Sequence, residues 1–129
     1  FPALRIVLNH VAQIPINGQT PDELWLQGIK ATAYNELMFC KVSGLVELTG
    51  KNPPPESVDY YRPVLEALWH AFGRERLVYG SNWPGSARDA EYAAVQHLAD
   101  AYYKPMGKEI HENVMWKNSR KAYGWEERD

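Results

Sequence analysis

Four polar side chains stand where apolar runs end. His10 closes Leu4-Arg5-Ile6-Val7-Leu8-Asn9, Lys41 and Ser43 flank Val42 at the end of a run that begins at Met38, and Asn82 follows Arg76-Leu77-Val78-Tyr79-Gly80-Ser81. An imidazole can polarise a carbonyl, move a proton or hold a metal. An ammonium can receive negative charge, and a hydroxyl or an amide can orient a water or a substrate hydroxyl. Trp83, directly after Asn82, can wall a small-molecule site. These residue types suit a site that binds and polarises a small polar molecule.

The elements around them supply a common frame. Leu4 to Asn9, Met38 to Val42 and Arg76 to Ser81 are short apolar runs that read as strands, the first as one buried on both faces. Thr20 is placed as a helix cap with Pro21 at the first helical position and Glu23 three residues on, predicting a helix to about Asn35 that buries Leu24, Trp25, Gly28, Ile29 and Ala33. Val64, Leu65, Leu68, Trp69 and Phe72 recur at helical spacing between Asp59 and Phe72, and Gly73 stops that helix. Two further helices are expected over about Ala87–Tyr103 and Lys108–Tyr123, the second ended by Gly124. The stretch from Leu45 to Glu56, with Gly50 and Pro53-Pro54-Pro55, reads as a long irregular loop that shapes specificity.

Strand, helix, strand, helix, strand, helix is the grammar of an α/β fold with a parallel sheet. In such folds functional groups gather where strands pass into loops. Period-two alternation places His10 on the face of Ile6 and Leu8, Lys41 and Ser43 on that of Phe39, and Asn82 on that of Val78 and Gly80. If those faces line one interior, the four residues converge at one rim.

Each residue also has a plainer reading. His10 serves as turn chemistry beside Asn9. Lys41 lies in solvent if its strand is an edge. Asn82 caps the turn into Trp83-Pro84, and Trp83 belongs to the core. Cys40 is a small buried hydrophobe, and His70, His97 and His111 are surface or interface residues without metal-ligand spacing.

Composition excludes several classes. The 129 residues are 45% hydrophobic and 12% aromatic, which opposes disorder, and 14 Lys and Arg against 16 Asp and Glu leave no basic field for nucleic acid or an anionic membrane. No apolar run approaches the roughly 18–20 residues of a membrane span. A single cysteine permits no internal disulfide and no thiolate cluster, so a reducing, cytoplasmic setting is expected. The opening Phe1-Pro2-Ala3, without an initiator Met, reads as the start of a piece of something longer.

Phe1 to His10, Lys41-Val42-Ser43-Gly44-Leu45, and Phe72-Gly73-Arg74-Glu75-Arg76 leading into Leu77-Val78-Tyr79-Gly80-Ser81-Asn82-Trp83-Pro84 resemble, in order and spacing, motifs of amidohydrolase-related proteins. The subgroup they are most similar to holds sugar lactonases and the pyrone dicarboxylate lactonase, whose C-terminal helix Asn113 to Trp125 also resembles. The resemblance implies a (β/α)8 TIM barrel of which residues 1–129 are the C-terminal portion of one domain, the last three βα units. Five units, with the His-x-His pair of the first strand, would precede them.

The resemblance makes His10 the sixth-strand histidine, which polarises the substrate carbonyl or serves near a divalent metal such as zinc in metal-using relatives. The eighth-strand position, commonly an aspartate that deprotonates the attacking water, falls on Asn82. An amide is no base at neutral pH, and its loss of charge weakens the case for a metal. Lys41, Ser43 and Trp83 are expected to bind substrate.

Three expectations follow: a hydrolase opening a lactone or similar cyclic ester, a silent barrel of the same ancestry that binds a ligand or partner, and a chain that by itself pairs with the remaining barrel segment, self-associates or aggregates. The last rests on Ile6, Leu8, Phe39 and Val78 being left uncovered.

Overall fold

Met38 to Val42, four of its five residues buried, forms the middle strand, as such an apolar run requires. In the computed structural model, which describes residues 3–126, it is β2 of a three-stranded parallel sheet of order β1-β2-β3, with β1 over Ile6–Leu8 and β3 over Leu77–Tyr79. Phe1 and Pro2 of the first motif, and residues 127–129, lie outside the described part. Lys41 therefore sits on a central strand, which removes the edge-strand reading. β1 is an edge strand instead, with Ile6 41% exposed, so the expectation of burial on both faces fails there.

Register decides which residues share a face. Val7 pairs with Phe39 and Leu8 with Cys40, while Cys40 pairs with Leu77 and Lys41 with Val78. Val7, Phe39, Lys41 and Val78 thus lie on one side, and Leu8, Cys40 and Leu77 on the other, against the helices. Ile6 and Leu8 are consequently opposite Phe39, the reverse of the expected phase.

The helix-side core joins Cys40, Val42 and Leu77 to α1 (Glu23–Ala33), α2 (Val58–Phe72) and α3 (Tyr92–Tyr103). α2 follows its sequence signal closely: the Ser57 hydroxyl accepts from the Asp59 amide at 3.3 Å, Val64, Leu65, Leu68 and Phe72 are buried, and Gly73 ends it at φ 66°. α1 starts later than Thr20 predicts, because the Asp22 carboxylate caps it by accepting from the Trp25 amide at 2.9 Å. Its buried stripe is correspondingly narrower: Ile29 and Ala33 are inside, Trp25 is half-buried, and Leu24 is 81% exposed.

The last two expected helices are subdivided. A short turn over Gly85–Arg88 precedes α3, and the final stretch runs as α4 (Lys108–Glu112), a π-helical turn (Asn113–Lys117) and α5 (Asn118–Tyr123), ended by left-handed Gly124. Asn118, 6% exposed, donates its amide to the carbonyls of Arg74 and Leu77, both at 2.9 Å, which ties this segment to β3. Ala122 then covers Phe39 and Val78, each 2% exposed, so these two are not the open faces that the sequence suggested.

Candidate functional site

Backbone conformation, more than strand alternation, presents His10. From His10 to Gln13 four successive residues have φ of 48, 45, 54 and 60°, a left-handed turn without a glycine. Such geometry costs roughly 1–2 kcal/mol per residue. Full burial of Val11 returns about 1.5–3 kcal/mol, and Ile14 and Ile16 are buried directly beyond the turn. The outcome is an imidazole aimed at β2, with Nδ1 2.9 Å from the Ser43 hydroxyl.

Two glycines make room for this arrangement. Gly44, at φ 66°, lies under the imidazole, where an added Cβ would fall 3.0 Å from His10 Cβ and 3.1 Å from Nδ1. A Cβ on Gly80 would meet Lys41 Cε at 3.2 Å and Ser43 Cβ at 3.3 Å. His10, Lys41, Ser43 and the glycine end of β3 thus form one neighbourhood at the ends of three parallel strands. Ser43 is 2% exposed, whereas His10 and Lys41 are half-buried.

The hydroxyl–imidazole pair fixes what His10 offers. When Ser43 donates to Nδ1, the ring proton sits on Nε2, a donor suited to a carbonyl oxygen; when Ser43 accepts, Nε2 is a base. Either way Nε2 is the atom left to face a ligand.

Asn82 arrives from the other side. It too is left-handed, φ 57°, and its side chain does not cap the turn, since the Trp83 amide donates to the Ser81 hydroxyl at 3.2 Å. Instead Nδ2 donates to Glu47 Oε1 at 2.8 Å. Trp83 is 44% exposed and meets Tyr92 edge-on at 5.7 Å, so it is a surface residue and not core. No hydrogen bond joins Asn82 or Trp83 to His10 among the described residues.

Glu47 escaped the sequence reading. It opens a short helical turn, Glu47–Thr49, within the loop expected to be irregular, and its Oε2 is buried without a hydrogen-bond partner. The available signal was a lone carboxylate inside the apolar run Leu45-Val46-Glu47-Leu48. The same loop also lines a cavity of about 340 Å³ with Val46, Pro54 and Glu56 facing Asp89, Glu91 and His97. None of His10, Lys41, Ser43 or Asn82 lines it.

The remaining titratable groups have structural settings. Burial pushes the Cys40 thiol up to about 12, in keeping with a buried hydrophobe. His111 is not a free surface histidine: half-buried, its Nε2 lies 2.6 Å from Asp100 Oδ1, with Lys104 2.9 Å from Oδ2. His70 and His97 are exposed.

Among the described residues no three His, Cys, Asp or Glu side chains are grouped to hold a metal ion. His10 brings one free ring nitrogen and Asn82 a neutral oxygen, so these residues alone do not match the divalent metal that the resemblance implies. No helix of the described part is long and apolar enough to cross a membrane.

A parallel α/β unit with its polar groups collected at the strand ends is the arrangement of barrel and open-sheet enzymes. A family model described as Amidohydrolase matches residues 1–125, and the chain belongs to that family. Over 87 residues it is 37% identical to the L-fucono-1,5-lactonase of Burkholderia ambifaria, a match covering 67% of this chain and 28% of that protein. A crystal structure of an amidohydrolase from Burkholderia multivorans with bound HEPES superposes with a TM-score of 0.80 at 22% identity, over 92% of this chain and 44% of that one. A Pseudomonas putida structure provisionally named 2-pyrone-4,6-dicarboxylic acid hydrolase gives 0.76 at 22% identity, over 98% and 45%. The chain spans under half the length of these proteins.

Proposed function

We propose that these residues form the last three βα units of a (β/α)8 hydrolase that opens a lactone or similar cyclic ester. The observation that carries the reading is the His10–Ser43 pair, 2.9 Å apart at the ends of adjacent parallel strands. Lactonase names among the relatives support the substrate class. In this reading water adds to the ring carbonyl, the developing oxyanion is stabilised by His10 Nε2–H and the Lys41 ammonium, and collapse breaks the ring C–O bond. The departing alkoxide takes a proton and the product is an open-chain hydroxy acid. Asn82 is an orienting acceptor for the water; the proton goes to a base near Asn82 or on another strand. Lys41 and Ser43 also hold polar groups of the substrate, and Trp83 flanks its entry.

A panel of sugar lactones incubated with the complete natural polypeptide tests this. Hydrolysis that disappears in His10→Ala is expected; no hydrolysis above background overturns it. A reducing, cytoplasmic location and a partner in the remaining barrel segment belong to the same proposal.

The neutral amide at Asn82 favours a second reading, a silent barrel that binds a ligand or partner. It predicts saturable binding of a lactone or its hydroxy acid with no turnover.

A further inference from the structure

We propose that Glu47 is the positioning residue for Asn82, and that the two act as one carboxylate–amide unit at the end of β3. An ionised carboxylate only accepts hydrogen bonds, so the amide atom 2.8 Å from Glu47 Oε1 must be the NH2 group. Asn82 Oδ1 is thereby turned away from Glu47, and it has no partner among the described residues. The amide can no longer flip, and it presents a single acceptor oxygen to whatever enters the site.

Asn82 is exposed, and burial is confined to the Glu47 end of the pair. Glu47 Oε2 is fully enclosed and unpartnered, a costly state for a carboxylate oxygen that merely decorates a loop. Tyr61 is near enough to feel the Glu47 charge, but its hydroxyl donates to the Pro55 carbonyl at 2.7 Å. The charge is therefore held close behind Asn82. Glu47 supplies negative potential that favours a donor, such as a water or substrate hydroxyl, at Oδ1. Asn82 alone is a weak acceptor; backed by Glu47 it is a polarised one.

The catalytic meaning rests on the lactonase reading, but the unit can be tested without a substrate. The unit makes Asn82→Asp a poor way to restore a base, because two carboxylates would then face each other at hydrogen-bond distance. In the complete polypeptide, Asn82→Asp is expected to lower the melting temperature by several degrees at pH 7. Asn82→Asp combined with Glu47→Gln should recover most of that loss, since the amide group introduced in place of the Glu47 carboxylate can donate to the new carboxylate. Equal losses in both backgrounds overturn the proposal.

A second measurement needs no substitution at Asn82. In a 1H–15N spectrum of the wild type, one Asn82 Nδ2 proton should resonate downfield of the ordinary side-chain amides, and Glu47→Gln should return it to that range. An Asn82 amide indifferent to Glu47→Gln overturns the proposal, even if Asn82→Asp fails to fold. Where lactone hydrolysis is found, Glu47→Gln should lower kcat about tenfold with KM little changed. Absence of hydrolysis would count against the lactonase reading and leave the first two readouts to decide the pair.

Discussion

His10 is only as useful as the atoms that hold it. Replacing it with alanine in the complete polypeptide should reduce kcat/KM for a hydrolysed lactone by about 10²–10³-fold, whereas Ser43→Ala, which frees the ring, should cost about tenfold. Gly44→Ala places a Cβ against the imidazole and forces a left-handed alanine, for an expected loss of about 1–3 kcal/mol in denaturant unfolding together with reduced activity. A neutral Gly44→Ala would show that the close approach of His10 is not needed. The polar residues themselves were legible in the sequence, because short apolar runs end on them. Their partners were not: that Asn82 turns to Glu47, 35 residues away, depends on how two loops fold toward each other. Trp83 misled in the other direction, since a tryptophan beside a strand suggests core until an open aromatic partner, Tyr92, is seen.

At the scale of elements, α2 was readable because its apolar stripe and its stop at Gly73 agree, and β2 because Met38–Val42 is a short apolar run. α1 was displaced because Asp22 outcompetes Thr20 as a cap, and the final helix hid a π turn because hydrogen-bond register leaves no trace in hydropathy. The contact between α3 and α4 carries a pH dependence. Burial raises the Asp100 carboxyl, but hydrogen bonds and charges from His111 and Lys104 more than reverse this and hold it below its ordinary range. A carboxyl lower in the folded than in the unfolded chain stabilises above its unfolded value, about pH 4, and that stability is lost as pH falls through the folded value. The melting temperature should therefore drop on acidification from pH 5 to pH 3. Asp100→Asn should be less stable at pH 7 by about 1–3 kcal/mol and show a flatter acid limb. Parallel limbs for the two proteins would remove Asp100 from the account.

For the whole molecule, the sheet matters through its edges. β1 and β3 each pair on one side only among the described residues, and Leu4 and Ile6 are 53% and 41% exposed at one edge. With Phe39 and Val78 covered by Ala122, the pressure to associate comes from those open edges and no longer from the whole inner face. The 129-residue chain alone is expected to elute as oligomers or aggregates in light-scattering chromatography. A monomer with a cooperative unfolding transition would contradict this. The left-handed turn after β1 gives that edge a second significance. Four consecutive residues in unfavourable backbone wells behave like a compressed spring, latched by Val11 on one side and by the three paired residues of β1 on the other. Release the strand and the turn relaxes, carrying the imidazole away from Ser43. Pairing β1 with β2 and setting the imidazole against Ser43 are one event, complete even while the outer side of β1 stays open.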